Sequence, residues 1–348
     1  MRRITRIATV GLASAALALS ATACGGKQSS DTSDSKEATA AIAYDIGGRG
    51  DQSFNDAAYA GLSKAETELK VKGAEAEPTD GEGEADKVQR LTELARKGNN
   101  PVIGVGFAYA PAIAKVAPKF PNTTFGLIDD LSVTDKNVAN LVFNEEQVSY
   151  LAGVAAAKAT KSGTVGFIGG VETPLIKKFE AGFAQGVQDT NPSAKVLTQY
   201  LTQPPDYTGF AKVDLGKAAA QGQLAKGADV VYAAAGGAGA GAIEAAATAG
   251  KWAIGVDSDQ YNQAGLAKFK DKILTSATKD VADSVFNLIK SVQDGKPQTG
   301  EVRYGLDTDG VELVDTNPAY KNMPEVVAAV EKAKADIIAK KITVKTAP

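Results

Sequence analysis

The stretch AAIAYDIGGRGDQSFNDAAYAG, residues 40–61, combines an apolar run, a glycine loop and the start of a helix. The apolar run at residues 40–46 predicts a buried strand, and the pattern that follows predicts a helix over residues 54–70. The glycines between them permit a tight turn, and Ser53 stands where a helix cap is expected. This stretch therefore predicts a strand, a turn and a helix in direct succession.

The same alternation of short apolar runs and amphipathic stretches continues to about residue 340. Helices are predicted over residues 145–159 and 281–293 among others, and an acidic loop over residues 75–84. Strands that alternate with helices of this length indicate βαβ units and largely parallel sheets. The predicted strands are apolar throughout, which is typical of sheets that are covered on both faces.

Polar or glycine residues follow several predicted strands, in the segments YDIGGRGDQSFN, GLIDD, YAAAGG, GVDSDQ and TSATK. Sheets of this kind bind ligands at the carboxyl ends of their strands. Because these segments are spread over nearly the whole chain, we expect them to converge on one site in a cleft between two similar lobes.

The composition excludes several classes of protein. The chain has no histidine and one cysteine, which excludes a Ser-His-Asp hydrolase and an internal disulfide and nearly excludes an ordinary zinc enzyme. A formal net charge of −3 argues against nucleic acid as a partner. The segment GTVGFIGG lacks the G-x-G-x-x-G order, and AAAGGAGAGA lacks the G-K-[ST] of a phosphate loop. We therefore expect no cofactor and no metal site.

The N-terminus indicates export and anchoring. Three arginines precede an apolar run at residues 7–19, and Cys24 follows in the segment SATACGG. This order predicts that residues 1–23 are a cleaved signal peptide and that Cys24 carries a lipid on the extracytoplasmic face of the cell membrane. The polar residues 24–39 predict a disordered tether. The alternative is a plain cleaved signal with an unmodified thiol.

Several residues at predicted strand ends are candidates for ligand contacts. Asp45 ends the first strand, and Phe54 in the first turn of a helix is either a core residue or a stacking surface. Asp257 and Asp259 could form a catalytic dyad, a cation site or an acceptor for sugar hydroxyls. Lys279 could donate to the same hydroxyls, or it could be a solvated lysine at a helix start.

Four segments, in this order, resemble those of the basic membrane protein (Bmp) lipoproteins, the PnrA-like substrate-binding subunits of ABC nucleoside transporters. They are DIGGRGDQSFNDAAYAG, GADVVYAAAGGAGAG, WAIGVDSDQ and TSATK, and the resemblance covers residues 40–340. It implies an α/β chain with the type I periplasmic-binding-protein fold, in which two Rossmann-like lobes are joined by three crossovers. It also implies a nucleoside ligand, expected to be a purine nucleoside, and an ABC permease and ATPase as partners.

The resemblance implies the contacts as well. Those around the base are Asp45, Phe54, Asn55, Asp129 and Phe210. The base would lie between Phe54 and Phe210, with Tyr207 of the same loop as the alternative to Phe210. Those around the ribose are Asp257 and Lys279, with Gly236 and Gly237 beside them.

We expect an N-terminal lobe of residues 40–142 plus 277–298 and a C-terminal lobe of residues 143–276 plus 299–345. The expected role is binding for import, not catalysis. The alternatives are a receptor for a sugar or another small solute on the same fold, a cell-surface enzyme that hydrolyses nucleosides, and an intracellular regulator.

Overall fold

The computed structural model describes residues 38–348. Cys24, the predicted signal peptide and the predicted tether up to residue 37 lie outside the described residues. The first strand begins at Thr39, so the last residue of the predicted tether belongs to the fold. Between residues 38 and 348, no helix has the length and apolar character needed to cross a membrane.

The N-terminal lobe is built on a six-stranded sheet with the order β11-β5-β4-β3-β1-β2. Its elements are β1 (Thr39–Ala43), α1 (Phe54–Glu68), β2 (Lys72–Ala76), α2 (Glu84–Arg96), β3 (Val102–Gly104), α3 (Ala110–Val116), β4 (Phe125–Ile128), β5 (Val138–Phe143), α8 (Val281–Gln293) and β11 (Gly300–Tyr304). Every pairing in this sheet is parallel. Strands such as β5 are buried along their whole length, because helices cover both faces of the sheet.

The C-terminal lobe is built on a second six-stranded sheet with the order β12-β10-β9-β8-β6-β7. Its elements are α4 (Glu145–Ala159), β6 (Thr164–Val171), α5 (Pro174–Thr190), β7 (Lys195–Thr202), α6 (Val213–Ala225), β8 (Val230–Ala234), α7 (Gly239–Thr248), β9 (Trp252–Asp257), β10 (Ile273–Lys279), β12 (Val311–Leu313), α9 (Pro318–Lys321) and α10 (Pro324–Ile338). Only β12 runs antiparallel, against β10. Two α/β lobes with largely parallel sheets confirm the predicted fold class.

The chain passes from one sheet to the other three times, after Phe143, Lys279 and Tyr304. The expected boundaries differ from the structure at all three points, by a single residue at Phe143, which completes β5. Residues 277–279 complete β10 in the C-terminal sheet. Gly300–Tyr304 pairs with β5 in the N-terminal sheet, although we expected it in the C-terminal lobe. The segment GEVRY is an edge strand with exposed, charged residues, so its sequence lacks the apolar run that indicates a buried strand.

Candidate ligand-binding site

A cavity of about 560 Å³, including its open mouth, lies between the carboxyl ends of the two sheets. The residues that line it are Asp45, Ile46, Asp51, Phe54, Asn55, Gly106, Phe107, Asp129, Leu175, Ile176, Phe179, Phe210, Ala234, Gly236, Val256, Asp257 and Lys279. All the predicted ligand residues except Gly237 therefore line this one cavity.

Lys279, at the end of β10, is the cation of this cavity. Its side chain is only 2% exposed, and its Nζ lies 2.6 Å from Asp129 Oδ2 and 4.0 Å from Asp257 Oδ1. Burial alone lowers the pKa of Lys279, but Asp129, Asp257 and Glu145 outweigh it and raise that pKa above its ordinary value. The ammonium is therefore a charged, cross-lobe contact and not a solvated lysine at a helix start.

Asp129 and Asp257 occupy equivalent places in the two lobes. Asp129 directly follows β4 and Asp257 ends β9. Both have a left-handed backbone, with φ +68° for Asp129 and +63° for Asp257, a conformation that aspartate tolerates better than most residues. Asp129, which the family resemblance assigns to the base, lies against the ammonium at the predicted ribose end. Its Oδ1 is buried and has no hydrogen-bond partner among the described residues, so it can accept a bond from a ligand.

Ser53 does not cap α1, contrary to the sequence prediction. Its Oγ donates instead to Asp257 Oδ2 at 2.7 Å, a bond that joins the two lobes. Burial raises the pKa of Asp257 above its ordinary value, and this effect outweighs the opposing effects of Lys279 and the Ser53 hydroxyl, which lower it. The serine therefore supports a cavity residue, through a contact between residues that are 204 positions apart.

Asp51 takes the place of the expected cap, and the sequence analysis missed it. Its Oδ1 accepts from the backbone N–H of Ser53 at 2.9 Å and of Asp56 at 3.1 Å, and its Oδ2 accepts from the N–H of Asn55 at 2.8 Å. Burial raises the pKa of Asp51 to about 6 against the pull of these bonds. An aspartate two residues before the expected cap was the signal available, since aspartate caps helices as well as serine does.

We call Asp45, Asn55 and Asp51 the polar end of the cavity, and Lys279 with Asp129 and Asp257 its charged end. Asn55 is 2% exposed, and its Oδ1 accepts from the Asp45 N–H at 2.9 Å. Burial raises the pKa of Asp45 to about 7. The Asp45 Oδ1 is buried without a hydrogen-bond partner in residues 38–348, and no lysine or arginine of those residues forms an ion pair with it.

The two predicted stacking residues, Phe54 and Phe210, both line the cavity. The Phe54 ring centroid is 4.8 Å from Lys279 Nζ, which places Phe54 next to the charged cluster and not inside one lobe. Tyr207 does not line this cavity but a neighbouring one. Phe107, which the sequence analysis missed, lies between them, with its centroid 6.5 Å from that of Phe210 and 6.0 Å from that of Tyr207.

Gly236 and Gly237, after β8, differ in role. Gly236 has φ +53°, and an added Cβ would lie 3.0 Å from the Phe210 carbonyl oxygen, so this turn requires glycine. Gly237 has no such backbone, and an added Cβ would lie 3.5 Å from Asp51 Cβ. Gly237 therefore borders the wall of the cavity without forming it.

Asp259 does not line the cavity, so Asp257 and Asp259 do not act as a pair there. Asp259 Oδ1 accepts from Thr316 Oγ1 at 3.0 Å, and Oδ2 accepts from Asn262 Nδ2 at 2.7 Å. Within residues 38–348, no group of three or more potential ligand side chains is placed to hold a metal ion.

A loop of the N-terminal lobe binds directly to the C-terminal lobe beside the cavity. The Gln52 carbonyl oxygen accepts from Ser258 Oγ and from Gln260 Nε2, both at 3.0 Å. The Gln52 side-chain oxygen accepts from the Gly265 N–H at 3.0 Å. Together with the Ser53 bond, these contacts hold the lobes together through protein atoms alone.

A family model described as Bmp, ABC transporter substrate-binding protein PnrA-like, matches residues 38–347. The chain belongs to the Bmp family. This Bmp protein is 35% identical to the CD4+ T-cell-stimulating antigen of Listeria innocua, with 91% of each chain covered. It is 33% identical to the ABC transporter nucleoside-binding protein BmpA of Lactococcus lactis, with 99% of each chain covered.

The Bmp protein also resembles a crystal structure described as an ABC transporter system solute-binding protein from Aeropyrum pernix. The two share 28% identity with a TM-score of 0.76, over 89% of this chain and 93% of that one. This similarity confirms the predicted type I periplasmic-binding-protein fold. The Bmp family consists of substrate-binding proteins for transport and not of enzymes.

Proposed function

We propose that this protein captures nucleosides, chiefly purine nucleosides, on the outer face of the cell membrane and delivers them to an ABC permease and ATPase. The observation that carries the proposal is the 4.8 Å between the Phe54 ring and Lys279 Nζ. It places an aromatic surface directly beside a cluster of opposite charges, and a nucleoside joins a flat base to a pentose with two vicinal hydroxyls.

The two parts of the cavity suit the two parts of such a ligand. A base that stacks on one aromatic ring gains about 1–3 kcal/mol, whichever base it is. The vicinal hydroxyls can donate to Asp257 and accept from Lys279, both of which line the cavity. Asp45 and Asn55 then provide polar groups for the edge of the base. The relative named for nucleoside binding, at 33% identity over 99% of the chain, supports the same ligand class.

Nucleotides fit the cavity less well than nucleosides. Asp129 and Asp257 flank the single ammonium of Lys279, so a phosphate at this end would meet two carboxylates for one cation. The cluster favours hydroxyls, which can donate to a carboxylate, over anions, which cannot. The sequence carries the remaining part of the proposal, which is that Cys24 holds the lipid anchor.

The deciding experiment is isothermal titration of the wild type and Asp257→Ala with inosine, 2′,3′-dideoxyinosine and free ribose. We expect the wild type to bind inosine, and the variant to lose more affinity for inosine than for the dideoxy analogue, which lacks both hydroxyls. Asp259→Ala is the matched control, since Asp259 lies two residues further on and outside the cavity. Wild-type binding of ribose without binding of any nucleoside would establish the sugar receptor instead.

The anchor has a separate test. We expect the wild type in the membrane fraction of cells and the Cys24→Ala variant outside it. A Cys24→Ala variant that stays in the membrane fraction would rule out the lipid on Cys24, whatever the ligand.

A further inference from the structure

The side-chain amide of Asn55 is held at both of its ends. Its Nδ2 donates to Asp51 Oδ2 at 3.2 Å, and its Oδ1 accepts from the Asp45 N–H at 2.9 Å. Asn55 is 2% exposed and Asp51 is 8% exposed, so water has little access to either contact. Asp51 therefore contacts the backbone of α1 and also the side chain of a cavity residue.

These two contacts fix the orientation of the amide. If the amide were rotated by half a turn, its oxygen would face the Asp51 carboxylate and its NH₂ group would face the Asp45 N–H. Both contacts would then be repulsive, because a carboxylate only accepts and a backbone N–H only donates. Asp51 thus selects one of two orientations that would otherwise differ little in shape.

The orientation determines what Asn55 offers to a ligand. Asn55 lines the cavity, and one N–H and one oxygen lone pair of its amide remain free of the two fixed contacts. Purine bases differ in the groups that such an amide can hydrogen-bond, because a 6-amino group donates whereas a 6-oxo group accepts. Reversing the amide exchanges the donor and the acceptor that the base meets.

We propose that Asp51 is a positioning residue for base selectivity, which acts by fixing the orientation of the Asn55 amide in the ligand cavity. This inference rests on the proposed nucleoside function. Asp51 also lines the cavity, but the proposed effect does not depend on a contact between Asp51 and the ligand. Its effect on the choice between 6-amino and 6-oxo purines passes through Asn55.

A purely structural role for Asp51 makes a different prediction, and Asp56 provides the control. Asp56 Oδ1 accepts from the Gly50 N–H at 2.8 Å, and its Oδ2 accepts from the Gln52 N–H at 3.0 Å. Asp56 therefore braces the same loop that Asp51 braces, with no hydrogen bond to the Asn55 side chain. Loss of loop bracing should change the affinity for all nucleosides by one common factor.

The experiment is a titration of the wild type, Asp51→Asn and Asp56→Asn with inosine and adenosine, each variant first checked for cooperative unfolding. We expect Asp51→Asn to change the ratio of the two dissociation constants by about fivefold or more, because the amide of Asn55 can then reverse. Asp56→Asn should leave that ratio within about twofold of the wild type, even if both affinities fall. Asp51→Ser replaces Asp51→Asn if the latter does not fold, since serine can cap α1 but is too short to reach the amide.

A double variant shows whether the effect passes through Asn55. In an Asn55→Ala background, we expect Asp51→Asn to leave the inosine-to-adenosine ratio unchanged. A change of the ratio in that background, or an equal loss for both nucleosides in Asp51→Asn, would overturn the inference. Wild-type protein that binds neither nucleoside would instead refute the proposed function. The wild type is therefore titrated before the variants are compared.

Discussion

The two ends of the cavity both collect buried carboxylates, but they compensate the charge in different ways. At the charged end, Asp129 and Asp257 lie 2.6 Å and 4.0 Å from the ammonium of Lys279. At the polar end, Asp51 accepts only from N–H groups. Burial raises the pKa of Asp45 to about 7 and that of Asp51 to about 6.

Under the proposed function, this difference determines which part of a nucleoside each end can discriminate. The charged end depends on an ion pair between the lobes, so it suits hydroxyls that can both donate and accept, and it tolerates no loss of a partner. The polar end depends on the direction of hydrogen bonds and on protonation, so it suits the edge of a neutral ring. The following predictions test this contrast, starting with the largest expected effect.

Replacing Lys279 by methionine should have the largest effect. The change leaves Asp129 and Asp257 buried without their cation, and we expect the free energy of unfolding to fall by ~3–5 kcal/mol, with nucleoside binding lost. Urea denaturation of the two proteins measures this. Lys64→Met is the control, because the exposed Lys64–Asp283 pair at 2.7 Å should contribute less than ~1 kcal/mol. Equal losses in the two variants would show that the charged end is not compensated as described.

Replacing Phe54 by alanine should remove stacking and leave the polar groups of both the charged end and the polar end in place. We expect binding of inosine, adenosine and cytidine to weaken by a similar ~1–3 kcal/mol each, because stacking tolerates every base. Isothermal titration measures the three losses. Tyr207→Ala, in the neighbouring cavity, should change them little. A loss confined to one base would mean that Phe54 acts by shape and not by stacking.

The pH dependence of stability should reveal the polar end. The pKa of Asp45 is raised from 3.8 to about 7 in the folded protein, so its stabilising contribution is fully present below pH 3.8 and is lost as pH rises through 7. Asparagine does not ionise. We therefore expect the Tm of Asp45→Asn, relative to the wild type, to be higher at about pH 8 than at about pH 5.

The control for this experiment is Asp229→Asn, which lies away from the cavity. Burial raises the pKa of Asp229, but hydrogen bonds from Thr160 and from the Lys161 and Ser162 N–H groups outweigh burial and lower it. Its contribution is present above its ordinary pKa and is lost only in acid, so the Tm difference for this variant should be the same at both pH values. A parallel response of the two variants would contradict the raised pKa of Asp45.

The smallest effects should come from the glycine turn that follows β8. Gly236→Ala forces alanine to φ +53° with its Cβ 3.0 Å from a carbonyl oxygen, and we expect it to cost about 1–2 kcal/mol of stability. Gly237→Ala, with its Cβ 3.5 Å from Asp51 Cβ, should be neutral within about 0.5 kcal/mol. Thermal unfolding separates the two. If Gly237→Ala is the more damaging, the wall near Asp51 is tighter than the distances indicate.

Much of the fold could be predicted from local pattern. The helices over residues 145–159 and 281–293 match α4 and α8, because segments of this length are too long for a typical strand. The edge strands β2 and β11 could not be predicted this way. Their exposed faces carry charged residues, and their position depends on pairing with distant strands.

The candidate site, like the fold, could be predicted from the sequence only in part. Strand ends and the family resemblance identified eight of the seventeen residues that line the cavity, whereas Asp51 and Phe107 were among those missed and Ser53 was given the wrong role. A capping pattern describes only neighbours in sequence. The bond that engages Ser53 comes from Asp257, 204 positions away, so no local rule could choose between the two roles.

The return of Gly300–Tyr304 to the first sheet also affects how the two lobes are completed during synthesis and how they can be recombined. During synthesis on the ribosome, five strands of that sheet emerge within the first 143 residues. One edge of β5 stays unpaired until the sixth strand, β11, has been made. A gene shortened before codon 300 specifies neither half in full. To exchange one lobe with that of a homologue, the chain must be recombined at all three passages between the sheets.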